Sequence, residues 1–130
     1  RTSDAPEHGP LRVLVIDDEP AVRDLLAQTL RSEGHSATLA ASGDEALRIY
    51  AKHWRELDLV VLDVMMSGLS GLETFQGLRR IRSDVKVLLC SGFGKQGAID
   101  ALLHAGAHAL LQKPFDRKQL RAALAEALAQ

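Results

Sequence analysis

Short, nearly continuous apolar runs recur along the chain, each closed by polar or turn residues. They alternate with stretches whose apolar residues return every three or four positions. The clearest run, residues 57–62, stops at Asp63 and gives way to a loop carrying Ser67 and Gly68. A run of that length bounded by turn residues reads as a strand buried on both faces. Residues 11–16, 37–40, 85–90 and 109–112 read as four more strands, the second being the weakest.

The intervening stretches predict helices. Val22, Leu25, Leu26, Thr29 and Leu30 share one face of the first, with Asp18 as its cap, Glu19 and Pro20 in its first turn and Gly34 ending it. Ser42-Gly43-Asp44-Glu45 opens a second helix carrying Ala46, Leu47, Ile49 and Tyr50. Leu72, Phe75, Leu78 and Ile81 mark a third, and residues 98–104 a fourth. Gly94 and Gly97 weaken the fourth, since each interior Gly costs about 1 kcal/mol relative to Ala. Leu120, Ala123, Leu124, Ala127 and Leu128 form the stripe of a last helix, with Ala122, Ala125 and Ala129 beside it. Residues 1–10 show no period and read as a tail or linker, leaving residues 11–130 as one domain.

Strand alternating with helix implies a parallel sheet with right-handed crossovers and helices on both faces. The strand ends that precede helices then share one edge, where ligands collect in open α/β sheets. Asp17, Asp18, Asp63, Ser91 and Lys113 are the polar residues at four of those ends. Crowded carboxylates raise one another's pKa, and a hard divalent cation or a nearby ammonium relieves the repulsion. Three carboxylates offer the all-oxygen ligation that suits Mg2+, and Lys113 supplies a compact positive charge for a phosphoryl oxygen. Asp63 is the candidate nucleophile for an aspartyl-phosphate, and Ser91 adds a hydroxyl donor.

Taken singly these residues read blandly. Asp17-Asp18 is a helix cap, Asp63 a turn residue, Ser91-Gly92 a turn and Lys113-Pro114 a solvated lysine before a kink. Cys90 reads as a small buried hydrophobe, Met65-Met66 as packing residues and Trp54 as partly buried. Their joint placement carries the functional reading. Sixteen basic against seventeen acidic residues give a formal charge of −1, so nothing points to nucleic acid or an anionic membrane. No stretch approaches the roughly 20 apolar residues of a membrane span. The five histidines lack zinc-ligand spacing, and one cysteine excludes an internal disulfide. The chain opens on Arg1 and its methionines are Met65 and Met66, which points to a piece of a longer protein.

Val15-Ile16-Asp17-Asp18-Glu19, Leu62-Asp63-Val64-Met65-Met66 with Gly71 beyond, Cys90-Ser91-Gly92 and Gln112-Lys113-Pro114-Phe115 resemble, in order and spacing, the receiver domains of two-component response regulators. The resemblance implies a flavodoxin-like, doubly wound α/β fold, with five parallel strands in the order 2-1-3-4-5 and five helices. It also implies that Asp63 accepts a phosphoryl group from the histidine of a partner kinase or phosphotransfer domain. Asp18 would ligate Mg2+ directly and Asp17 through water, with Asp63 and the backbone carbonyl of Met65 completing the protein ligands. Lys113 would bind the phosphate, followed by its cis-prolyl partner Pro114, and Ser91 would be the switch hydroxyl.

Two positions depart from the family. Ser67 stands where proline is usual, which implies a looser loop after Asp63. Leu110 stands where an aromatic is common, leaving the helix that carries Gly97 as the expected mobile element.

The expected product is a cytoplasmic phosphoacceptor module that catalyses its own phosphorylation and slow hydrolysis rather than a conventional enzyme. A homodimer through the face of the fourth helix, fifth strand and fifth helix is the expected self-association. The wording around Ser91-Gly92-Phe93 and Lys113 favours a hybrid sensor histidine kinase as parent. The alternatives are the amino-terminal receiver of a transcriptional regulator and an unphosphorylated interaction domain. A turnover phosphatase lacks its second aspartate, whose place Met65 takes, and Asp17-Asp18-Glu19-Pro20 would repel a flavin phosphate.

Overall fold

A computed structural model describes residues 9–92 and 94–129. Of the expected tail, residues 1–8 lie outside the described residues, as does Phe93. Five strands, β1 (Arg12–Ile16), β2 (Ser36–Ala40), β3 (Leu59–Asp63), β4 (Val87–Ser91) and β5 (Ala109–Gln112), form one sheet in the order β2-β1-β3-β4-β5. Every neighbouring pair is parallel. The helices are α1 (Pro20–Ser32), α2 (Gly43–His53), α3 (Gly71–Ile81), α4 (Gln96–Ala105) and α5 (Arg117–Leu128), with a 3-10 turn at Trp54–Glu56.

The near-continuous apolar strands follow from burial on both faces. Val13, Val15, Leu59, Val61, Leu88 and Cys90 face α1 and α5, in a core with Leu26, Leu30, Leu120 and Leu124. Their neighbours Leu14, Ile16, Val60, Leu62 and Leu89 face α2, α3 and α4, in a core with Tyr50, Phe75, Leu78 and Leu102. β3 and β4 are buried at all five positions, so each is clamped between two helix layers.

Local chemistry sets the helix starts. Ser42 accepts the Glu45 N–H at α2, and Ser70 with Glu73 and Asp116 with Gln119 form capping boxes at α3 and α5. α1 begins with Pro20 at its first position. α4 has neither device: Lys95 sits at its cap with no side-chain bond, and Gly97 lies within its first turn. Gly34, at φ +92°, turns the chain out of α1 as its position after the apolar stripe predicts.

Several local expectations shift. The cap of α1 is Glu19 and not Asp18, and it uses no side chain. Asp17 Oδ1 instead accepts the Glu19 N–H at 2.9 Å, which leaves Asp18 directed elsewhere. Leu25 is 52% exposed and Ala27 takes its place on the buried face. Met65 is 50% exposed rather than packed, while Met66 does lie against the core. Residues 85–86 precede β4 rather than belonging to it, and Ser91 extends that strand.

Candidate functional site

The carboxyl ends of β1, β3 and β5 bring Asp17, Asp63 and Lys113 to one edge. Asp17 follows β1 directly and is fully buried, and Asp63 is the last residue of β3 at 4% exposure. Lys113 follows β5, joined to Pro114 by a cis peptide bond. The strand register places Asp63 opposite Cys90 and Ser91 opposite Gln112. The Lys113 N–H donates to the Ser91 carbonyl at 2.7 Å, which carries the ladder past the end of β5.

The Lys113 ammonium donates to Asp17 Oδ2 at 3.2 Å and stands 3.5 Å from Asp63 Oδ1 and 4.0 Å from Glu19. Asp17, Asp18 and Asp63 each present a carboxylate oxygen, all within 4.8 Å of one another. They are the one such group of ligating side chains among the described residues. The loop after β3 reaches this cluster at Met65 and Ser67. The Met65 N–H donates to Asp63 Oδ1 at 3.4 Å, and both the N–H and the hydroxyl of Ser67 donate to Asp18 Oδ2 at 3.1 Å. At Gly71 a Cβ would lie 2.7 Å from the Val64 carbonyl oxygen, so the return into α3 requires glycine.

Burial, followed by the charge of Asp17, raises the Asp63 pKa to about 6, although the Lys113 charge opposes the shift. At Lys113, burial works against the ammonium, but Asp63 and Asp17 outweigh it and its pKa rises above the ordinary value. One lysine therefore leaves the acidic cluster incompletely compensated. An all-oxygen set of close, partly buried carboxylates fits a hard divalent cation, and Mg2+ in particular, which needs few protein ligands. Cys90 lies below the cluster with its thiol pushed up to about 12, first by burial, and is inert.

The residues singled out from the sequence are thus brought together with one exception. Asp17, Asp18, Asp63 and Lys113 converge. Ser91 is buried at the same edge, but its hydroxyl donates to the Gly92 carbonyl at 3.1 Å rather than to any of the carboxylates. Leu110 pairs with Leu89 on the sheet and packs, partly buried, against the core under α4. The loop after Asp63 is tied down through Ser67, contrary to the looser loop expected without proline. Sequence reasoning also missed Arg23, which donates to the Asp17 carbonyl at 2.8 Å, and the approach of Glu19 to Lys113. A helical spacing of three or four from the cap was the available signal for Arg23.

Comparison with known proteins places this geometry. The profile of the family described as the response regulator receiver domain matches residues 13–125. The response regulator MprA of Mycobacterium sp. (strain KMS) is 42% identical over 113 residues, covering 87% of this chain and 48% of MprA. The sensor kinase CckA of Brucella abortus is 36% identical over 120 residues, covering 92% of this chain and 13% of CckA. The chain therefore spans about half the length of the MprA relatives it matches. Among solved structures, the CheX–CheY–BeF3–Mg2+ complex from Borrelia burgdorferi contains a chain that superposes with a TM-score of 0.86 at 28% identity. The match covers 94% of this chain and 92% of that one.

Proposed function

The chain belongs to the response regulator receiver family, and from that premise we propose that Asp63 accepts a phosphoryl group from a partner histidine kinase or phosphotransfer domain. The observation that carries this reading is the meeting of Asp63, Asp17, Asp18 and Lys113 at the carboxyl edge of the sheet. An ionised Asp63 oxygen attacks phosphorus, and the bond from phosphorus to the donor histidine nitrogen breaks. The donor ring, protonated on its other nitrogen, leaves as neutral imidazole with the electron pair of the broken bond, and an acyl phosphate remains on Asp63. The Lys113 ammonium, held by two carboxylates, is poised to take a phosphoryl oxygen. Asp17, Asp18, Asp63 and the Met65 carbonyl would hold Mg2+, which when bound supplies positive charge against the carboxylates and the transferring group. Ser91 would release Gly92 to bond the acyl phosphate, and Pro114 and Leu110 flank that change as supporting residues.

The domain is read as residues 11–130, with residues 1–10 as a tail. Both parents expected from the sequence have counterparts among the relatives. The MprA response regulators match at 42% identity, the sensor kinase CckA at 36% and the transcriptional regulatory protein GlrR at 32%, so the comparisons lend the hybrid-kinase origin no preference. No described helix is long and apolar enough to cross a membrane. A cytoplasmic site of action and self-association through α4, β5 and α5 are part of the same proposal.

The test is incubation with acetyl phosphate, with and without Mg2+, followed by intact mass. A Mg2+-dependent, base-labile phosphoryl adduct that is absent from Asp63→Asn supports the reading. An adduct of equal yield in the variant overturns it, and steady phosphate release over many turnovers would mean a phosphatase.

A further inference from the structure

We propose that Ser67 is a positioning residue for the metal site, holding Asp18 through one carboxylate oxygen so that the other faces the ion. The inference rests on the Mg2+ reading above and concerns a feature of this chain's own loop. Both donors of Ser67, the backbone N–H and the hydroxyl, converge on the same atom, Asp18 Oδ2, each at 3.1 Å. A carboxylate oxygen has about two lone-pair sites, so Oδ2 is filled. Oδ1 has no hydrogen-bond partner among the described residues, which leaves it as the free ligand atom. A proline at this position, as the family usually carries, has neither donor.

The contact joins the loop after β3 to the corner after β1, two segments with no backbone bond between them at this point. It therefore fixes the carboxylate against rotation where the helix cap does not. Asp18 makes no cap bond, and the neighbouring Asp17 is already committed to the Glu19 N–H and Lys113. Hydrogen bonds to a ligating carboxylate orient it, and losing such a partner commonly weakens metal binding about 10- to 100-fold. Here two donors act on one oxygen, so removing the hydroxyl alone leaves part of the restraint.

The experiment is Mg2+ titration of the unphosphorylated protein, followed by amide NMR shifts at residues 17–19 and 63–67, with thermal unfolding as a check on folding. Wild type, Ser67→Ala, Ser67→Pro, Asp18→Asn and the Ser67→Ala/Asp18→Asn pair are compared. Ser67→Ala should weaken Mg2+ several-fold and Ser67→Pro about tenfold or more. In the Asp18→Asn background, Ser67→Ala should change the affinity no further, because the residue acts through Asp18. Unchanged or tighter binding by Ser67→Ala, or an undiminished Ser67→Ala effect on top of Asp18→Asn, overturns the proposal while leaving the metal site intact. Failure of wild type to bind Mg2+, or equal binding by Asp18→Asn, instead overturns the metal site itself and the role of Ser67 with it.

Discussion

The Lys113 ammonium, from the residue after β5, stands 3.5 Å from Asp63 Oδ1 at the end of β3, although β4 lies between the two strands in the sheet. The lysine is the one positive charge that opposes the raised pKa of Asp63. At about 4 Å and an effective dielectric near 20 such a pairing is worth roughly 4 kcal/mol before desolvation.

Replacing Lys113 therefore has two separable consequences. In Lys113→Ala the Asp63 pKa climbs above its present value of about 6, read from carboxyl carbon shifts in an NMR titration. Phosphorylation by acetyl phosphate slows about 100-fold or more, since a preorganised charge aimed at the transferring group is lost. A variant that keeps both the wild-type pKa and the wild-type rate would show the lysine to be a bystander.

Proton and metal compete for Asp63. Its folded-state pKa of about 6 lies above the ordinary 3.8, so the folded protein holds this proton more tightly than the unfolded chain does. Stability from this group is complete below the ordinary carboxylate range and is lost as pH rises through about 6. At pH 7 the metal-free protein bears the cost, and Asp63→Asn should stabilise it by about 1–3 kcal/mol, an advantage that disappears near pH 4. Mg2+ affinity should rise about tenfold per pH unit below pH ~6 and flatten above it. Titration calorimetry between pH 5 and 8 checks this, and a pH-independent affinity would contradict it.

α4 is the helix without a side-chain cap or an initial proline, and Gly97 lies in its first turn. Its amides should exchange faster than those of α2, α3 and α5. A Cβ at Gly97 meets nothing within 4 Å, so Gly97→Ala should stabilise the helix by about 1 kcal/mol and slow that exchange. If α4 is the element that moves on phosphorylation, beryllofluoride with Mg2+ should change its exchange in wild type and change it less in the variant. Equal protection with and without the mimic would exclude α4.

The parallel sheet and the convergence of the site at its edge were legible because both rest on one-dimensional signals, whereas the strand order came from the family resemblance. The buried strands of a parallel sheet are continuous apolar runs, and crossover handedness then puts Asp17, Asp63 and Lys113 on one edge. What escaped was set by tertiary contact. Leu25 obeys the helical period yet is exposed, because the buried face of α1 is turned toward Ala27 beside Leu26 and Leu30. Asp18 has the identity of a cap, but its carboxylate is claimed by Ser67, a residue distant in sequence. The absence of proline at Ser67 reads as slackness in a string of letters. In three dimensions it supplies the two donors that fasten the loop.

The most direct measurement is chemical mapping of the acyl phosphate. Protein treated with acetyl phosphate and Mg2+ is reduced with borohydride, which converts a phosphorylated aspartate to homoserine, and is then digested and sequenced by mass spectrometry. Homoserine at position 63, lost when Mg2+ is withheld, is the predicted result. Homoserine at position 17 or 18, or a yield indifferent to Mg2+, would contradict the account.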